Sequence, residues 1–441
     1  MNLPQLIRPL VRPFAEFFRR EAAGSIMLLL SAGLALLLAN TTWGPARYFP
    51  ALWDEHLVFR LNGIVLDKSL LHWVNDGLMT VFFLIVGMEI KREVLDGELA
   101  SLRQATLPLA GALGGMVVPA LVFAAFNHRT PTAGAWGIPM ATDIAFALAA
   151  LHLLGSRVPL GLKVFLTALA IVDDLGAVLV IAGFYTQQLH LSALLLAGAT
   201  WVVLLALNAV GVRSQWPYLL LGVVLWYYTL ESGVHATLAG VLLAVAIPAR
   251  IRHSRPALLR LVAARLQLLR HQAQGKEADP RTISEELEHL AETISSPAQK
   301  LEQRLHSVVA LGIVPLFAFA NTSLTIDASV VSELRSPLSL GILAGLVVGK
   351  PLGIGLLSWG CIRLGWATLP AGVSWSHLWG AGLLGGIGFT MSLFVTLLAL
   401  GGNTEQEAVA KLAILLASLV AGALGFLVLR SAAGPAPVVE T

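Results

Sequence analysis

Residues 136–146 read WGIPMATDIAF, inside an apolar run from about 133 to 154. Crossing a bilayer takes about 20 residues, so the run is long enough. Yet Pro139 removes a helix donor, and Gly137 loosens the backbone beside it. Thr142 and Asp143 then bring a hydroxyl and a carboxylate to mid-depth. Residues 382–394, GLLGGIGFTMSLF, repeat the pattern with Gly382, Gly385, Gly386 and Gly388. Both runs are expected to unwind, exposing half-helix ends that carry roughly half an elementary charge. Thr142 to Phe146 and Thr390 to Phe394 also share a Thr-x-x-x-Phe spacing, a match short enough to arise by chance.

The rest of the chain supports a membrane reading. Of 441 residues, 56% are hydrophobic and 12% charged, with a mean hydropathy of +0.78. An ordinary soluble domain carries about twice that share of charge. Apolar segments near spanning length recur with short polar joints, whereas a transmembrane β-barrel alternates apolar and polar residues in pieces of about 10. Twelve spans are expected, near 23–40, 70–92, 105–126, 133–154, 160–184, 191–210, 215–231, 233–248, 302–323, 337–362, 372–400 and 406–430. The first lacks a small-residue cleavage site and is followed by many more, so it reads as a helix and not a removable signal peptide. The lone Cys361 rules out an internal disulfide framework.

Placing alternate joints on the side of the N-terminus puts 22 Lys/Arg there and 6 on the other side, with Lys350 inside a span. This asymmetry assigns both termini to the cytoplasm, and it makes the net charge of +3 topology information before any sign of nucleic acid. The expected organisation is a cytoplasmic N-terminus (1–22), spans one to eight (23–248), a cytoplasmic insert (249–301), spans nine to twelve (302–430) and a cytoplasmic tail (431–441). Groups 3–5 and 10–12 begin on opposite sides with a broken helix in the middle of each, the pattern of inverted-topology repeats around a transporter's central site. The fold class is therefore all-α integral membrane, twelve transmembrane helices with inverted repeats and discontinuous helices 4 and 11. An outer β-hairpin is expected near 56–68, where VFRLNGIVLDKS alternates around Asn62-Gly63. In the insert, ALLRLVAARLQLLR has the spacing of a basic amphipathic helix on the inner membrane surface, or of a plain solvated linker.

A charge at a helix centre costs about 2.5–3.5 kcal/mol on insertion scales. The chain meets that cost at Asp143, at Asp173 and Asp174 in LAIVDDLGAVLVI (169–181), and at Lys350 in GLVVGKPLGIG. Four such residues mark an ion or proton pathway. Neighbours on a helix point about 100° apart, so one aspartate can face a cavity while the other faces another helix. A carboxylate in this setting can hold a proton or a hard cation such as Na+ or Li+, which prefers oxygen ligands. The Thr142 hydroxyl can add a ligand, Asp143 can compensate half-helix ends, and Lys350 is the natural counter-charge. Glu89, Lys91, Arg92 and Glu93, and likewise Glu302 and His306, lie at cytoplasmic helix ends. They read either as ordinary interfacial charge or as groups answering internal pH. His235 reads as a hydrogen-bonded buried histidine, and Asp76 as an interface residue.

Enzyme readings fail on spacing. An aspartic dyad needs its aspartates on separate helices, a diphosphate site needs Asp-x-x-x-Asp, and no phosphate-binding glycine loop is present. No cofactor is implied. A gradient-driven carrier or a channel remains; the inverted broken helices favour the carrier, with a sodium-coupled organic-anion symporter as the alternative to an ion exchanger.

ATDIAFAL, AIVDDLGAV, SGVHATLAGV, VVGKPLGI, LPLAGALGG and GGIGFTMSLF together resemble the bacterial NhaA sodium/proton antiporters, over about residues 14–430. That family is itself a standard example of inverted repeats, so the repeat reading is not independent of the resemblance. The resemblance implies a pH-regulated, electrogenic exchanger of the cell inner membrane, moving Na+ or Li+ outward against H+. It implies Asp174 as the principal cation and proton ligand, Asp173 as the partner of Lys350, and Asp143 beside Thr142 as the balance for crossed helix dipoles. Glu89, Arg92, Glu93, Glu302 and His306 match a region of activation at alkaline pH, His235 a histidine linked to that response, and the hairpin the element that joins two protomers. Gln303 and the long 249–296 joint depart from the pattern, which puts the pH profile in doubt and leaves the transport core intact.

Overall fold

The computed structural model describes residues 23–432 except 42–43, 45–47, 62–63, 187–188, 250–295 and 402. The expected N-terminus (1–22), nearly all of the 249–301 insert, most of the 431–441 tail and the Asn62-Gly63 turn lie outside the described residues.

Helix α1 (Ala23–Ala39) leads to strands β1 (His56–Leu61) and β2 (Ile64–Ser69), which pair antiparallel from His56↔Ser69 to Leu61↔Ile64. Helices α2 (Leu70–Asp96) and α3 (Leu102–Asn127) follow, and then a broken helix of two pieces, α4a (Ala133–Met140) and α4b (Ile144–Leu153). Next come α5 (Leu160–Phe184), α6 (Leu191–Val210), α7 (Gln215–Glu231) and α8 (Leu238–Ala246). Beyond the insert lie α9 (Pro297–Asn321), α10 (Pro337–Arg363), the pair α11a (Trp375–Gly385) and α11b (Phe389–Leu400), and α12 (Thr404–Ser431).

Among the described residues eight helices are long and apolar enough to span, nine if the bent pair counts as one. Twelve were expected. The shortfall falls on α1, α7 and α8, of which α7 has 17 residues and α8 only 9. At about 1.5 Å per residue these do not reach across a hydrocarbon core of about 30 Å. Irregular backbone at 232–237 takes the place of the first turns of the eighth expected span.

Local chemistry sets the helix ends. Ser296 and Gln299 form a capping box that starts α9 at Pro297, and Ser374 with His377 does the same for α11a. Gly211, at φ 87°, ends α6 in the left-handed conformation glycine tolerates. Large apolar side chains more than half exposed, among them Leu30, Leu121, Leu179, Leu195 and Leu419, face outward as hydrocarbon would require. One buried core joins α4a, α4b, α5, α10, α11 and α12, and a second joins α2 with α6–α9. Leu78 and Phe82 of α2 and Val314 of α9 pack against both, and within the first core the Phe394 ring of α11b has its centroid 5.5 Å from Phe83 of α2 and 6.2 Å from Phe317 of α9. Helices α3 and α10 cross backbone to backbone at Gly114 and Gly353, where a Cβ on either would run into the other's carbonyl.

Candidate functional site

Helical backbone stops after Met140 and resumes at Ile144, with Ala141 (φ −84°, ψ 145°) and Asp143 (φ −88°, ψ 98°) extended between. Pro139 and the glycines of α4a leave it a 3-10 helix whose own ladder is weak. Its counterpart bends by 43° between α11a and α11b, at Gly386–Gly388.

The two breaks are bonded to each other. The Asp143 N–H donates to the Ile387 carbonyl (2.6 Å), and the Thr142 hydroxyl to the Gly385 carbonyl (2.8 Å). In return the Asp143 carboxylate accepts from the Phe146 N–H of α4b (3.2 Å), and from the N–H (3.1 Å) and hydroxyl (2.5 Å) of Thr390 in α11b. One carboxylate therefore sits at the N-terminal ends of two half-helices, where partial positive charge gathers. The opposite ends are answered as well. The Lys350 ammonium donates to the Met140 carbonyl, the C-terminal end of α4a.

Lys350 also donates to Asp173 Oδ2 at 2.7 Å, in an ion pair with both side chains at most 1% exposed. It stands directly after a π-helical stretch, Gly345–Gly349, and before Pro351, so α10 is locally distorted where the charge enters. The second oxygen of Asp173, Oδ1, is buried with no hydrogen-bond partner, and so is Oδ1 of Asp174. Asp174 is 3% exposed. Leaving such oxygens bare is expensive, so the site can accept a proton or an oxygen-seeking cation. Among the described residues no three His, Cys, Asp or Glu side chains gather as a metal cage. A transported cation here would complete its shell from carbonyls, hydroxyls or water.

A second cluster lies at the end of α2 away from the hairpin. Arg92 pairs with Glu302 of α9, and its other nitrogen lies 3.6 Å from Glu93. Glu93 accepts from the Glu98 N–H (3.0 Å), and Lys91 donates to the Ala244, Val245 and Ile247 carbonyls that end α8.

Comparison with known proteins identifies the family. The family model described as Na+/H+ antiporter 1 matches residues 15–429. The chain belongs to this family. Relatives named Na(+)/H(+) antiporter NhaA are 50% identical in Oleidesulfovibrio alaskensis (97% of this chain, 95% of the relative) and 49% identical in Acidithiobacillus ferrooxidans (95% and 97%). A third, from Pectobacterium carotovorum, is 48% identical over 96% of each chain. Members of the family are transporters and not enzymes, and this chain is a multi-pass membrane protein.

As members of an antiporter family go, the expected residues divide into three places. Asp143, Thr142, Asp173, Asp174 and Lys350 are buried around the crossing of the breaks. Arg92, Glu93 and Glu302 meet in the second cluster, with Glu89 on the same helix as Arg92 and His306 one turn after Glu302. His235 is apart from them. It lies just before α8, whose other end Lys91 holds, and its Nε2 is 2.7 Å from the Tyr185 carbonyl. Thr390 and the Met140 carbonyl were not singled out as site groups. The spacing shared by Thr142 and Thr390 is the only sequence signal for the first, and a backbone carbonyl leaves none.

Proposed function

We propose that this chain is a pH-regulated, electrogenic Na+(Li+)/H+ antiporter that exports sodium from the cytoplasm by alternating access. The observation that carries the proposal is the buried Lys350–Asp173 pair next to Asp174, each aspartate with one unpartnered oxygen. Na+ or Li+ and protons compete for these carboxylates. Occluding the bare carboxylates is costly, so the loaded site crosses and the empty one does not; this is the coupling. Asp174 binds the cation directly. Asp173 is reached when the cation or a proton loosens its hold on Lys350. Two titrating units, Asp174 and the Asp173–Lys350 pair, face one monovalent cation, and the exchange therefore moves net charge. Asp143 and Thr142 hold the half-helix ends in place throughout.

The proposal includes twelve spans in inverted repeats, with α1, α7 and α8 as short or irregular members, both termini cytoplasmic, an inner-membrane location and a dimer joined by the hairpin. It assigns regulation to Glu89, Arg92, Glu93, Glu302 and His306, because the Arg92–Glu302 pair ties α2 to α9, with His235 as a separate outer contributor. Everted vesicles carrying a proton gradient and a pH dye provide the test. Na+ or Li+ should dissipate the gradient, and Asp174→Asn should abolish the response. A gradient indifferent to Na+, or normal exchange by the variant, would refute the antiport mechanism. In the same assay Glu302→Gln should displace the pH profile, and an unchanged profile removes the regulatory assignment.

A further inference from the structure

Tyr185 caps the C-terminal end of α5, twelve residues beyond Asp173 on the same chain segment. Its hydroxyl donates to the Gly134 carbonyl (3.0 Å) and accepts from the Gly137 N–H (3.0 Å), so both bonds fall on α4a. Its ring lies 6.4 Å from that of Trp136, and its own carbonyl is held by His235. Gly137 is shaped to the phenol, since a Cβ there would stand 2.6 Å from the hydroxyl oxygen.

Helix α4a needs such anchors. It has eight residues in 3-10 geometry, and it ends in extended backbone at Ala141, so its own hydrogen bonds do little to set its depth or rotation. Side chains from other elements do that instead. Tyr185 grips the first turns, Ser392 of α11b donates to the Ile138 carbonyl (2.8 Å), and Lys350 meets the carbonyl of Met140 at the last.

We infer that Tyr185 is a positioning residue for cation binding: by fixing α4a it sets where the Met140 carbonyl meets Lys350, and so how firmly Lys350 holds Asp173. The inference rests on the proposed transport role of the two aspartates. The Lys350 ammonium is shared between a carbonyl and a carboxylate. Loosen the carbonyl, and the ammonium settles more fully on Asp173; a cation must then displace a tighter partner. Affinity for Na+ and Li+ falls together, because the change is in the competing ammonium and not in the fit of either ion.

The test is Tyr185→Phe in everted vesicles, at matched levels of inserted protein. The substitution keeps the ring and the backbone carbonyl and deletes both bonds to α4a. Apparent KM should rise about tenfold for both ions, the scale of one net buried hydrogen bond, while the maximal rate stays within about twofold. Gly137→Ala, which drives the hydroxyl away from the other side, should raise KM similarly, and the double variant should add little more. Unchanged KM in both single variants overturns the inference, as does a fall in maximal rate alone, which marks a purely structural tether. Wild-type exchange and its loss in Asp174→Asn report separately on the underlying transport reading.

Discussion

Asp173 and Asp174 are neighbours with different surroundings. Asp173 is tied to Lys350, while the pair's outward difference rests on a helix rotation of about 100° between them. Removing one member of a buried ion pair strands the other, which typically destabilises by about 3–5 kcal/mol, whereas neutralising both is far milder. Lys350→Ala should therefore lower thermal stability in detergent by about 3–5 kcal/mol, and adding Asp173→Asn should recover most of the loss. If the two substitutions merely add, the pair is not the structural unit described here. The charges themselves were legible, because Asp143, Asp173, Asp174 and Lys350 stand out in apolar runs. Their partners were less so. Asp143 bonds Thr390, 247 positions away, and Lys350 bonds a main-chain oxygen of residue 140.

Elements were legible where glycine and proline interrupt apolar runs. The chain leaves helical geometry at 141–143 and bends at 386–388, where those residues cluster. The shortness of α7 and α8 was hidden, since an apolar run does not reveal whether its residues are helical or lie in an irregular approach such as 232–237. The crossing of α3 and α10 was hidden too, among many glycines that could have been loose joints. At Gly353 the backbones touch, so Gly353→Val should force the helices apart and give a loss of at least about 2 kcal/mol, as overpacking in a rigid contact does. Thermal stability in detergent and the yield of monodisperse protein would register it, and a variant as stable as the wild type would show that the crossing can relax.

At the scale of the whole molecule the hairpin is the least self-sufficient part. Two strands alone are marginally stable, and this pair exposes Leu57, Phe59 and Val65, each more than half accessible, along with edges that pair with no other strand among the described residues. A second copy of the chain would cover them. On the proposed hairpin-joined dimer, deleting residues 56–69 should give a monomer by light scattering in mild detergent where the intact chain gives a dimer, with exchange retained in vesicles; a dimer that survives the deletion, or an intact chain that is already monomeric, would overturn the proposed interface.

The sequence by itself determined that the chain lives in a membrane, that ionisable groups fall inside its apolar runs, and that two spans are interrupted. These are properties of composition and local backbone preference, and they need no knowledge of what packs against what. The resemblance had implied Asp173 as the partner of Lys350, as the structure has it; only the tertiary structure decided that the Asp143 carboxylate bonds Phe146 of one half-helix and Thr390 of the other, that the Met140 carbonyl shares the Lys350 ammonium, and that His235 stands apart from the Arg92–Glu302 cluster. Each of those depends on the rotation and crossing of helices distant in sequence, and on backbone carbonyls and N–H groups freed by the breaks, which every residue type carries alike.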